Sequence, residues 1–180
     1  MSNPEKRIEI LTSTELRKTI SRLTSEIVER TDNLDKTLLI GVPTRGVHLS
    51  DVISIELQKK IGINVKKGII DPTFHRDDQN RIGTRLIKAS DIPIPIENSE
   101  IILIDDVIYT GRTVRAALEA LHSWGRPKRI MLLAMIDRGH RELPIQPDFC
   151  GKYLPTSKNE NIQLRLESVD SEEGVFLVKN

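Results

Sequence analysis

The chain has 180 residues, 38% of them hydrophobic and 29% charged, with a net charge of +1. That length builds one domain with a substantial core, and the near-neutral balance excludes global basicity as an argument for nucleic acid, leaving only a local patch. Aromatics make up 3%, so the core must rest on Ile, Leu and Val.

The lone Cys150 cannot close an intrachain disulfide, which suits a reducing cytoplasm. The opening MSNPEKRIEI lacks the apolar segment of a signal peptide. No apolar run reaches the ~20 residues of a membrane span. These features lead us to expect a single domain over 1–180, cytoplasmic and without membrane attachment.

TSTELRKTISRLTSEIVER predicts a helix over 12–30. Thr12 and Glu15 stand at capping-box spacing, and Leu16, Ile20, Leu23 and Ile27 recur at the helical period. Arg17, Lys18, Arg22 and Arg30 occupy the other face. TLLIGV (37–42) reads as a buried strand and PTRG as a turn. The following helix runs to about Lys60 and is stopped by Gly62. NVKKGII (64–70) is the next strand.

Residues 71–89 are polar and aperiodic; a loop that long in a compact domain is usually functional. DIPIPI is too rich in proline for a central strand. Next come the strand EIILID (100–105), a turn, and the helix TVRAALEALHSW (113–124), closed by Gly125 and Pro127. RIMLLAMI (129–136) is a further apolar strand, while NIQLRLESV and VFLVKN read as short terminal strands.

Apolar strands alternating with amphipathic helices imply βαβ units and a mostly parallel sheet. Ligands of such sheets bind beyond the carboxyl ends of the strands. PTRG, the 71–89 stretch, DDVIYTGRT and DRGHREL follow the strands, and all are rich in Arg, Asp, Thr or Gly. Their convergence on one edge would make a site.

TGRT (Thr110–Thr113) stands where a helix begins, and unpaired N–H groups there favour an anion. An ordinary threonine cap with a turn glycine has the same pattern. Asp105 and Asp106, side by side after a buried run, repel each other unless something fills the space. Vicinal sugar hydroxyls would, and so would Mg²⁺. Strict strand alternation would aim the two acids at opposite faces and leave one structural. Arg45 can grip phosphate bidentately, and Arg76 could bring a charge from the loop over a substrate. Arg138, His140 and Arg141 could face a base, a phosphate or solvent. Neither a Walker loop nor GxGxxG follows a strand, and the four histidines form no metal-ligand pattern. The residues alone thus reach a phosphorylated sugar with a metal.

IILIDDVIYTGRT resembles the phosphoribosyl-pyrophosphate (PRPP) motif of type I phosphoribosyltransferases. TRG, FHRDD, GRP, DRGHRELPI and GKYLPTSK occur in the order and spacing of the PyrR family, pyrimidine-operon attenuators that also act on uracil. The resemblance implies the type I phosphoribosyltransferase fold, an α/β fold with a mostly parallel twisted sheet flanked by helices and a small hood. It also implies the reaction uracil + PRPP → UMP + diphosphate, assisted by Mg²⁺.

Carried onto this chain, the resemblance makes Asp105 and Asp106 the ribose and metal ligands and, with Arg45, the catalytic groups. Tyr109, Thr110, Gly111, Arg112 and Thr113 would cradle the 5′-phosphate. Thr44, Arg45, Gly46 and Arg76 would contact the diphosphate, and Ile136, Asp137 and Arg138 would line the uracil pocket. The family also implies a dimer-based homo-oligomer. It implies UMP-dependent binding of a pyr mRNA stem-loop that promotes transcription termination, here through Arg22, Arg30, Arg141 and Lys152. Regulators of this family carry histidine where this chain has Ser25 and arginine where it has Gln146. The alternative is therefore a uracil salvage enzyme that has lost RNA regulation. DRGHREL disfavours a purine phosphoribosyltransferase.

Overall fold

A computed structural model describes residues 7–77 and 89–179. Helix α1 (Ser13–Arg30) starts at the expected capping box: Glu15 N donates to Thr12 Oγ1 at 3.3 Å, and Thr12 N donates to Glu15 Oε2 at 2.8 Å. Those bonds from Thr12 hold the Glu15 carboxyl below its ordinary pKa. The stripe Leu16, Ile20, Leu23 and Ile27 is buried, as its spacing requires.

The main sheet is parallel throughout, in the order β3–β2–β4–β5–β6. Its strands are β2 (Thr37–Gly41), β3 (Lys66–Ile69), β4 (Glu100–Ile108), β5 (Arg129–Asp137) and β6 (Phe149–Tyr153). Helix α2 (Arg45–Ile61) lies with α1 on one face, and α3 (Arg112–His122) covers the other. Leu39, Ile102, Ile104 and Leu133 join the α1–α2 layer. Leu38, Ile40, Ile101 and Leu103 pack with Val114, Ala117 and Leu121 of α3. Burial on both faces is why these strands read as continuous apolar runs.

A smaller antiparallel sheet runs in the order β1–β8–β7, from β1 (Arg7–Leu11), β7 (Glu160–Arg165) and β8 (Gly174–Lys179). It seats Leu11, Ile162, Leu164 and Val175 in the α1–α2 layer. The short helix α4 (Glu167–Asp170) joins β7 to β8. Among the described residues no helix is long and apolar enough to cross a membrane.

The structure corrects several boundaries. Strand β4 continues past Asp105 to Ile108, so the acids lie inside the strand. Helix α3 stops at His122, two residues early. NIQLRLESV is not one strand: β7 ends at Arg165, and the Asp170 carboxylate turns the chain into α4 by accepting the Leu166 N–H at 2.9 Å. Strands β1 and β6 had no clear sequence signal, since RIEIL is mostly exposed and FCGKY carries a glycine and a lysine. Of the expected 71–89 loop, residues 78–88 lie outside the described part; it opens with a 3₁₀ turn at Thr73–His75.

Leu103 is wholly buried between β2 and β5, whereas Ile55 on α2 is 54% exposed. Leu103→Ala should cost about 2–5 kcal/mol by urea denaturation. Ile55→Ala should stay within about 0.5 kcal/mol of the parent.

Candidate active site

The chain leaves β2 for β3 on one side, while β4 lies on the other. The crevice beyond β2 and β4 is therefore the switch point of the sheet. Three segments meet there, and close backbone packing sets their spacing. A Cβ on Gly46 would lie 2.3 Å from the Ile104 carbonyl oxygen and 3.3 Å from the Asp105 Cα. Val42 N also donates to Ile104 O at 2.9 Å. The first turn of α2 thus rests directly on β4, and the Pro43–Thr44 peptide before it is cis.

The pleat of β4 changes phase across the two acids. Ile102 and Ile104 face the α1–α2 layer and Ile101 and Leu103 face α3, but Val107 faces the former and Ile108 the latter. Even positions point one way before the pair and the other way after it. Both Asp105 and Asp106 consequently border one cavity of about 440 Å³, together with Pro43, Thr44, Arg45 and Thr113. The strict alternation that would leave one acid structural does not hold. Asp105 is buried, and its Oδ1 accepts the Asp106 N–H at 3.0 Å.

A second cavity, of about 500 Å³, shares Asp105 and runs along Tyr109–Val114 to Arg76. Gly111 precedes α3 with φ of 90°, a left-handed conformation that suits glycine. Helix α3 therefore points its N-terminus at this space, where backbone N–H groups and the helix dipole favour an anion. Arg76 donates to Thr113 Oγ1 at 2.6 Å and so reaches the same place. Arg112 turns instead to Glu142 and Asp77, each at 2.7 Å. Glu142, in the DRGHREL stretch after β5, and Lys158 also border this cavity, although neither was assigned to it from the sequence.

Arg45 holds its guanidinium against Asp170 of α4, with both Nη atoms at 2.6 Å from the carboxylate oxygens. No sequence pattern links residues 125 positions apart.

The segment after β5 is tightly wired. Ile136 is entirely in the core. Asp137 accepts from Gly139 N at 2.9 Å and from Arg141 Nη2 at 2.6 Å. Arg138 is buried, donates to Thr156 Oγ1 and to the Ser157 and Glu160 carbonyls, and lies 4.1 Å above the Tyr109 ring. Burial pulls its pKa below the ordinary arginine value, yet the group stays cationic.

Arg141 is drawn inward to the Tyr109 and Ile145 carbonyls, at 2.8 and 2.7 Å. Arg22 donates to the Cys150 and Gly151 carbonyls, and Arg30 to that of Asp148 while lying over the Phe149 ring. With exposed Lys152, Arg22 and Arg30 flank the seam between α1 and the edge strand β6. Beside it, Lys60 Nζ sits 2.8 Å from Ser25 Oγ, which puts a cation at that position. Gln146 Oε1 lies 3.5 Å from Arg141 Nη2. Burial pushes the Cys150 thiol up in pKa, away from a reactive thiolate.

The phosphoribosyl transferase domain model matches residues 8–168. "Bifunctional protein PyrR" of Microcystis aeruginosa is 48% identical over 96% of this chain and 97% of the relative. The chain belongs to the PyrR family of phosphoribosyltransferases. The same-named protein of Latilactobacillus sakei is 42% identical over 95% of this chain and 97% of the relative.

Solved structures share the architecture at low identity. A hypoxanthine-guanine phosphoribosyltransferase from Bacillus anthracis superposes with a TM-score of 0.71 at 16% identity, covering 96% of this chain and 98% of that one. A hypoxanthine phosphoribosyltransferase from Trypanosoma cruzi reaches 0.73 at 14% identity, covering 98% and 96%. The fold is the type I phosphoribosyltransferase fold, as the sequence resemblance implied.

Gly46→Ala should force α2 off β4. Overpacking of this kind costs about 1–3 kcal/mol, and thermal melts of the variant should register the loss.

Proposed function

We propose that this chain forms UMP and diphosphate from uracil and PRPP and, with UMP bound, binds a pyr mRNA stem-loop to promote transcription termination. One observation carries the enzymatic half: Asp105 and Asp106 border the same cavity as Arg45, next to the space faced by the N-terminus of α3. That arrangement offers acceptors for vicinal hydroxyls between two places suited to anions. The likeness to the PyrR family, on which the uracil assignment rests, supports uracil as the base.

In this reading the 5′-phosphate docks on Thr110–Thr113, and the ribose hydroxyls bond to Asp105 and Asp106. The diphosphate lies along Thr44, Arg45 and Gly46, with Arg76 closing from the loop. Uracil stacks near Tyr109, beside the 136–138 segment; Ile136 supports that segment from the core. The C1′–oxygen bond breaks as the C1′–N1 bond forms, and the uracil N1 proton leaves to solvent. Charge builds on the ribose and on the departing diphosphate. The two carboxylates favour the first, and the arginines favour the second. Positioning and electrostatics supply the rate, so no histidine is needed.

The two acids also fit Mg²⁺. Among the described residues there is no group of three or more His, Cys, Asp or Glu that could cage an ion. Mg²⁺ is commonly held by one or two carboxylates plus substrate oxygens and water. When bound it neutralises the diphosphate. By family likeness we extend the proposal to a dimer-based oligomer in the cytoplasm, with 1–180 acting as one catalytic domain.

For RNA, the α1–β6 seam supplies Arg22, Arg30 and Lys152, with Lys60 taking the place of the basic group absent at Ser25. Arg141 contributes from the rim of the site, where it can report nucleotide occupancy. The salvage reading draws on the same observations: Arg22, Arg30 and Arg141 already donate to their own chain, and Gln146 carries no charge.

Asp105→Asn with Asp106→Asn should lower UMP formation from labelled uracil by at least about 100-fold, with an unchanged circular dichroism spectrum; full activity would remove the ribose assignment. With pyr leader RNA, a gel shift should need UMP and weaken steeply with added salt. Absence of any shift at low salt with UMP present would leave the salvage reading.

A further inference from the structure

We propose that Asp170, on α4 of the smaller sheet, is the positioning residue that fixes the Arg45 guanidinium for the diphosphate end of the substrate. This rests on the reading of the crevice as a PRPP site. Arg45 is half-buried, while the Asp170 side chain is only 6% exposed. Their contact is an end-on fork, with one oxygen on each Nη at 2.6 Å. A fork of this kind fixes direction as well as position.

Asp170 is itself immobilised. It accepts the Leu166 N–H at 2.9 Å and Arg165 Nη1 at 3.0 Å. A carboxylate has about four acceptor sites, and four donors fill them here. Burial pushes the Asp170 carboxyl up, but the Leu166 N–H and the two guanidinia outweigh it and hold it below its ordinary value. The anion is therefore present at neutral pH.

The fork leaves Arg45 able to act. Three of the five N–H bonds of a guanidinium remain after an end-on pair. The neighbouring Val169 borders the same cavity as Arg45, Asp105 and Asp106, which places α4 directly over the crevice. A long arginine side chain would otherwise have to be ordered when the substrate arrives; Asp170 orders it beforehand.

Asp170→Asn keeps the size and an acceptor for Leu166 but loses the charge. It should raise KM for PRPP and the inhibition constant of diphosphate about tenfold, with KM for uracil and the melting temperature little changed. D170E, which restores the charge, should recover most of the PRPP affinity. R165Q removes the other guanidinium from the same carboxylate and should leave KM for PRPP within about twofold of wild type. Equal KM values for PRPP in wild type and D170N would overturn the proposal. So would an R165Q effect as large as that of D170N, or a D170E variant no better than D170N. Calorimetric titration with inorganic diphosphate reads the contact without turnover. A wild type that makes no UMP would defeat the transferase reading, whereas equal diphosphate affinity in wild type and D170N would defeat this one.

Discussion

The contact between the Gly46 backbone and the Ile104–Asp105 backbone sets the geometry of the whole crevice. With no Cβ at Gly46, α2 can begin directly against β4. The first residue of α2 is Arg45, and the next two residues of β4 after Ile104 are the acids. A wider spacing would separate cation from carboxylates and open the site to water, weakening every electrostatic interaction inside it. The phase change of the β4 pleat then brings both acids onto one cavity. Two adjacent aspartates can therefore border one cavity although a regular strand would split them.

Around that contact the arginines behave as struts. Arg138 ties β5 to the Thr156–Glu160 segment, Arg45 ties α2 to α4, and Arg22 and Arg30 tie α1 to β6. Guanidinium suits this use because its planar donors meet carbonyls and carboxylates in fixed directions. The rigid frame holds the acids and the α3 N-terminus still, and such fixed dipoles need little reorganisation when charge develops.

The sequence made the main sheet readable because its strands are buried on both faces. TLLIGV, EIILID and RIMLLAMI carry long apolar runs bounded by turn residues, and α1 carries its own capping box. The candidate site was legible for the same reason: loops of a parallel sheet follow the strands, so PTRG and DDVIYTGRT, which meet at one crevice, could be picked out by position. What failed to show had no local signal. RIEIL and FCGKY form strands only by pairing with distant partners. The split of NIQLRLESV depends on a side chain capping the backbone four residues away. Uracil itself came from resemblance, since buried Ile136 and self-paired Asp137 and Arg138 carry no base code in their identity.

The same internal pairing bears on how catalysis and RNA binding could be joined in one chain. Arg141 spans both: it holds Asp137 beside the proposed base pocket and the carbonyl of Tyr109, whose ring lies beneath Arg138. A nucleotide that displaced or tightened this group would alter a cation at the rim of the site, and reciprocity requires that RNA held by that cation alter nucleotide affinity equally. Arg22 spends donors on Cys150 and Gly151 of the edge strand β6, and Arg30 on Asp148 just before it, next to Lys152. An RNA phosphate there need not break those bonds, because a guanidinium has five N–H donors and neither arginine is shown using all of them. A surface built from half-used arginines can therefore serve first as structure and second as a polyanion contact, without a strongly basic composition.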